Sequence, residues 1–160
     1  MKNLIEFQLF ELVSYEFYLE DEWRNNDKID SVDYKFTDGT DNFVVQFRLS
    51  GGKMNPGVYF RDYFKVNCNT PYSLTNRNPF RILGTVTRIT IDFINKFKPD
   101  VLKIYHIKET REEGNNKHSS RALLNKRILQ IEIPKNCPNY SYKLTTVLSS
   151  ESVSVIKKED

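Results

Sequence analysis

Apolar residues recur through this chain with two different spacings, and the spacings divide it into elements. Between residues 32 and 49 the period is two. Val32, Tyr34 and Phe36 alternate with polar neighbours, and so do Phe43, Val45, Phe47 and Leu49 after an Asp38-Gly39 turn extended by Asp41-Asn42. Asp-Gly between alternating runs predicts a β-hairpin. Asp33, Lys35, Gln46 and Arg48 then face away from the core. Residues 57–66, GVYFRDYFKV, predict a third strand, and the broken spacing of Val58, Phe60 and Phe64 places a bulge near Arg61-Asp62.

The period changes after Asn78. Ile82, Val86, Ile89, Phe93 and Phe97 recur at steps of three and four, and Leu83, Thr90 and Ile94 widen the stripe. Asn78 suits a cap, Pro79 the first helical position and Pro99 a stop. The β-branched run from Thr85 to Ile91 opposes a helix by tenths of a kcal/mol per residue. Burial of a long apolar face outweighs that, so residues 79–97 are expected to form a helix. Val101 to Ile107 follows as a buried strand, and the segment Asn78–Tyr105 as the spine of the core.

The remaining segments are less regular. Residues 3–20 read two ways: Ile5, Phe7 and Leu9 alternate like a strand, whereas Phe10, Val13 and Phe17 keep helical spacing. Their Tyr, Phe and Val content favours a strand. Residues 21–31, DEWRNNDKIDS, predict a polar loop with Trp23 folded over the core edge. SGGKMNP at 50–56 predicts another loop; it lacks the residues of a phosphate-binding P-loop. Residues 67–79 and the charged stretch 108–118 are expected as loops. Ser119 or Ser120 caps a second helix, expected to run to about Gln130 with Leu123 or Leu124, Ile128 and Ile131 inward. Pro134, Asn136 and Pro138 break it. Tyr140, Tyr142, Leu144 and Thr146 alternate as a strand, and Ser152–Ile156 are expected as an edge strand guarded by Lys157-Lys158. The order gives an α+β fold: residues 1–160 as one domain, a mostly antiparallel sheet that begins as a β-meander and continues helix–strand–helix–strand, with two helices packed on one face.

Composition narrows the function classes. Hydrophobic residues make up 39% and charged residues 28%, a globular balance. The net charge of +3 does not by itself imply nucleic acid. Cys68 and Cys137 lie far apart with no Cys-x-x-Cys, so reduced thiols are expected. The start MKNLIEFQLF carries Glu6 inside its apolar run and does not read as a signal peptide, and no apolar run reaches membrane-spanning length.

The frame TVTRITIDFINKFKPDVLKIYHIKE, followed after a polar loop by SSRALLNKRI, resembles a group of small proteins of tailed bacteriophages with no established activity. The resemblance covers about residues 32–131 and rests on packing and capping residues. This chain has Leu124-Asn125 where those proteins often carry Leu-Tyr, so no role of that Tyr carries over. What the resemblance implies is a protein acting in the cytoplasm of an infected bacterial cell, or one packaged in the virion.

Candidate chemistry is sparse. His106 reads as a strand histidine without a neighbouring nucleophile. Lys117, His118, Ser119 and Arg121 surround a helix start, where free N–H groups and two cations suit an anion or a partner; an ordinary N-cap accounts for the same residues. Tyr59, Arg61, Tyr63 and Lys65 interleave rings with cations, a pattern for stacking bases and meeting phosphates, with Arg77, Arg81 and Arg88 as extensions. The acidic groups Glu20-Asp21-Glu22 and Glu109, Glu112 and Glu113 lack a metal-loop pattern. No cofactor, metal site or catalytic set is expected, and enzyme activity is not favoured. The expectation is a non-catalytic phage accessory protein that binds a host or phage macromolecule, of the host-takeover or anti-defence type. A virion structural component and a single-stranded nucleic-acid-binding protein are the alternatives.

Overall fold

A seven-stranded sheet carries the chain, in the order β1-β2-β3-β6-β7-β9-β8. The computed structural model describes residues 14–50, 52–55, 58–60, 63–69, 79–107, 120–146 and 150–158. Of these, residues 52–55, 58–60, 63, 67–69, 79, 80, 105–107, 120–126, 144–146 and 150–152 are described by their backbone alone. The main-sheet strands are β1 (Phe17–Asn25), β2 (Lys28–Thr37), β3 (Asn42–Leu49), β6 (Tyr63–Asn69), β7 (Val101–Ile107), β8 (Tyr140–Thr146) and β9 (Ser150–Lys157). A separate two-stranded ribbon pairs β4 (Gly52–Asn55) with β5 (Val58–Phe60). The helices among the described residues are α1 (Pro79–Phe97) and α2 (Ser120–Asn136).

β2 and β3 form the expected hairpin, and β1 extends it into a three-stranded meander. Asp38 Oδ1 accepts from the amides of Thr40 (2.9 Å) and Asp41 (2.7 Å), and Gly39 takes φ +93°, so the Asp-Gly signal is realised as a turn. Alternation buries Val32, Tyr34 and Phe36 on β2 and Phe43, Val45 and Phe47 on β3. The parallel pair β6–β7 needs a crossover, which α1 supplies. α1 carries the predicted stripe: Ile82, Ile89, Phe93 and Ile94 are buried. Thr85, Thr87 and Thr90 are buried too, and each hydroxyl donates to the carbonyl four residues back (2.7–2.8 Å), so these β-branched residues bring no unpaired oxygen into the core. Phe93 stacks on Phe47 with centroids 4.0 Å apart and meets Phe64 edge-on at 5.1 Å, which locks α1 to β3 and β6.

Several local expectations are corrected. Residues 21–31 are strand over most of their length: β1 and β2 meet at Asn26 (φ 51°) and Asp27 (φ 66°), a tight two-residue turn built without glycine. Trp23 lies on β1 and is 47% exposed. Residues 52–55 form strand β4 in place of a loop. Residues 57–66 are not one bulged strand; β5 and β6 belong to different sheets. β6 also runs to Asn69, into the expected loop. α2 continues through Pro134 to Asn136 and buries Ile128, Leu129 and Ile133. Pro134 has no amide to donate to the carbonyl four residues back, yet the helix continues past it, and the Asn136 side chain donates to the Glu132 carbonyl at 2.9 Å. β9 is interior, between β7 and β8, so Val153 and Val155 are fully buried and β8 is the edge. Cap residue Asn78, segment 1–13 and loop 108–118 lie outside the described residues.

Candidate functional site

Residues directly opposite on neighbouring strands share a face of the sheet. One row, Val32–Phe47–Val66–Ile104–Val153, crosses five strands and is buried under the helices. The next row lies one residue along and therefore faces the other way. It reads Trp23–Ser31–Arg48–Lys65–Lys103–Ser154–Lys143 and spans all seven strands. Arg48, Lys65 and Lys143 are exposed, Lys103 is half-buried, and Ser154 is buried between Lys103 and Lys143. Lys65 and Lys103 also take part in interactions within the protein.

Arg48, Lys65 and Lys103 stand directly abreast on three adjacent strands. Like charges opposite one another weaken a sheet, and opposite charges strengthen it. The meander makes the arrangement possible because each strand alternates; the crossover through α1 then sets β7 beside β6 in the register that places Lys103 next to Lys65.

The β1 end of this open face is different. Tyr18 and Trp23 are the exposed large hydrophobic side chains among the described residues, at 58% and 47%, and they sit opposite Lys35 and Ser31. The strand is irregular, with register shifts at Leu19/Asp21, between the two rings, and at Trp23/Arg24, just past the second. Such shifts and the run Glu20-Asp21-Glu22 discourage another strand from adding to this edge. Glu20 holds Lys35 at 2.6 Å and pushes that ammonium's pKa upward; Glu22 holds Arg24 at 3.3 Å. Asp21 lies opposite Asp33. Ser31 Oγ and Asp33 Oδ1 are shielded from solvent without a hydrogen-bond partner. The β1–β2 end of the face is thus marked by Tyr18, Trp23 and the Asp21–Asp33 pair, and the stretch from β3 to β8 by Arg48, Lys65, Lys103 and Lys143.

Of the residues singled out from sequence, Lys65 is in this row. Tyr63 has the same parity on β6, while Tyr59 is on β5 of the separate ribbon, so the structure does not gather Tyr59 and Lys65 on one sheet. Arg61, Lys117, His118 and Ser119 lie outside the described residues, as do Arg77, Glu109, Glu112 and Glu113; Arg121 is in the first turn of α2, described by its backbone. Arg81 and Arg88 are on α1, the opposite layer, and do not extend the basic row; Arg81 lies over the Tyr15 ring at 4.1 Å. Sequence reading missed Arg48, Lys103 and Lys143 as a group, because each alone is an ordinary strand exterior.

Among the described residues no other region gathers reactive groups. A shallow pocket is lined by the Asn26–Ile29 turn, Phe64 and Phe97, and offers no nucleophile. The Cys137 thiol is buried, donates to Asn95 Oδ1 at 3.7 Å and is pushed up to about 11 by burial, which holds it in the unreactive form. Among the described residues no three His, Cys, Asp or Glu side chains converge as a metal site, and no helix is long and apolar enough to cross a membrane. Comparison with protein-family models, with curated proteins and with solved structures finds no match.

Proposed function

We propose that this protein is a non-catalytic binding protein that engages a macromolecular partner through the open face of its sheet. The setting that goes with this reading is the infected bacterial cell, where the phage resemblance of the sequence would place it as an accessory protein. One observation carries the reading: Arg48, Lys65 and Lys103 stand abreast on three adjacent strands, and Lys143 continues the row beyond Ser154. A row of cations of this kind attracts an anionic partner laid across it.

The test is capture from infected-cell lysate with the wild-type protein and with an Arg48→Glu, Lys143→Glu variant, both checked for native circular dichroism. Bound protein and nucleic acid are analysed together. Loss of captured material in the charge-reversed variant supports the reading. Equal capture by both proteins overturns the face assignment. No capture, combined with abundance in purified virions by mass spectrometry, assigns the protein to the particle instead.

A further inference from the structure

We infer that the occupant of this face is a single strand of nucleic acid, lying across the β-strands along the row from Trp23 to Lys143. The inference rests on the open-face reading above and names its partner.

The shape of the cationic set comes first. Neighbouring strands are about 4.8 Å apart, so the row from Arg48 to Lys143 extends over roughly 19 Å and the whole row over roughly 29 Å. A line of positive charge of that length suits a linear polyanion. A compact anion such as a free phosphate would need the cations to converge on one point, and here they follow the register of separate strands.

The β1–β2 end then distinguishes nucleic acid from other polyanions. Trp23 and Tyr18 offer exposed rings on the same face, and bases stack on such rings whatever their identity. Asp21 and Asp33 flank that end and would repel phosphate, so the rings there meet bases while the phosphates lie toward the basic strands. Bases over β1–β2 and phosphates over β3–β8 match the two halves of the face. An anionic protein surface matches only the basic half. Stacking on Trp23 also requires an unpaired base, which selects a single strand over a duplex.

Trp23 is the single tryptophan of the chain, so it reports on this end of the row directly. The experiment titrates the full-length protein with short oligothymidylate and oligocytidylate and follows both Trp fluorescence and the anisotropy of a labelled oligonucleotide. Duplex DNA, heparin and polyglutamate serve as competitors. The expected result is quenching of Trp23 and an affinity that falls with salt, with a log–log slope of about −0.7 for each phosphate neutralised. An Arg48→Ala, Lys143→Ala variant flattens that slope by about 1.4. Trp23→Ala weakens binding roughly 5- to 100-fold, and Trp23→Phe restores part of it.

Equal affinity for duplex and single strand overturns the inference. So does effective competition by heparin or polyglutamate without a change in Trp fluorescence, which keeps the binding face and gives it an acidic protein or glycan. Absence of oligonucleotide binding at low salt overturns it as well. The broader reading then stands if charge reversal still abolishes capture from lysate, and falls with it if capture is unchanged.

Discussion

The hydroxyl of Tyr34 donates to Asp92 Oδ2 at 2.6 Å, and this bond joins β2 to α1 across 58 residues of sequence. Lys96 Nζ reaches the same carboxylate oxygen at 3.1 Å from the solvent side. A buried hydroxyl is thereby satisfied by a charged acceptor that is itself balanced by a surface cation. Hydrogen bonds to charged groups contribute about 1.5–3 kcal/mol. Tyr34→Phe is expected to destabilise by that order, seen as a fall of several degrees in Tm. Asp92→Ala strands the hydroxyl and costs a similar amount. The double variant costs less than the two single losses added, because both remove one interaction. Additive losses in denaturant titrations would show that the bond is not the coupling between β2 and α1.

The same hydroxyl gives the fold a pH dependence on the alkaline side. Burial and then the hydrogen bond and negative charge of Asp92 hold the Tyr34 proton well beyond the ordinary tyrosine range, and burial holds that of Cys137 to about 11 against an ordinary 9.0. Both groups are neutral when protonated and bind the proton more tightly in the folded state. Their contribution is complete below the unfolded-state values and is lost as pH rises through them. Stability is therefore expected to decline from about pH 9, through Cys137, and more steeply above about pH 10, where Tyr34 ionises in the unfolded chain. Urea midpoints at pH 7, 9 and 10.5 measure this. Cys137→Ala should remove the earlier part of the decline and Tyr34→Phe the later part. A midpoint that does not move up to pH 10.5 contradicts the assignment.

Phe93 is the point at which the helix layer is fixed to the sheet. It is fully buried, stacks within 4° of the Phe47 plane, and has Phe64 and Phe97 each 5.1 Å away. Phe93→Ala should cost about 3–5 kcal/mol, since three rings lose their shared neighbour and the cavity cannot close without moving α1. Phe93→Leu, which keeps much of the volume, should cost less than half of that. Equal losses for Leu and Ala would mean that aromatic stacking, more than filled volume, dominates at this site.

How much of this was legible in the sequence depended on whether a local signal existed. The α1 stripe, Pro79, Pro99 and the Asp38-Gly39 turn each announce themselves within a few residues, and each is realised. The turn at Asn26-Asp27 was missed because it reaches positive φ without glycine; Asn and Asp tolerate that region through their short polar side chains, and a polar stretch reads as loop by default. Pro134 does not end α2 because burial of Ile128, Leu129 and Ile133 outweighs the one hydrogen bond it removes. The candidate face was the least legible. Arg48, Lys65, Lys103 and Lys143 are spread over 95 residues and become neighbours only through the order β3-β6-β7-β9-β8, which no local pattern encodes. Trp23 and the Lys65 segment stand out in the sequence, but Trp23 reads there as a cover for the core edge, and their relation is not legible.

Lys98 is the remaining residue held at positive φ, at 48°, immediately after α1. Its amide donates to the Ile94 carbonyl at 2.9 Å, so it closes the helix in the left-handed conformation that glycine usually supplies. Pro99 then prevents continuation, and its carbonyl accepts from the buried Tyr140 hydroxyl at 2.7 Å, which ties the end of α1 to the start of β8. The chain thus keeps an exposed lysine where its backbone favours glycine, at a cost of about 1 kcal/mol. Lys98→Gly should relieve that strain and raise stability by up to about 1 kcal/mol, less a few tenths for the lost cation at the helix C-terminus. Lys98→Val, β-branched at the same φ, should lower it by more than 1 kcal/mol. Thermal melts of the three proteins give the order Gly, Lys, Val if the left-handed cap is what stops α1. Tyr140→Phe in each background leaves the Pro99 carbonyl unpaired and should subtract about 1–2 kcal/mol without changing that order.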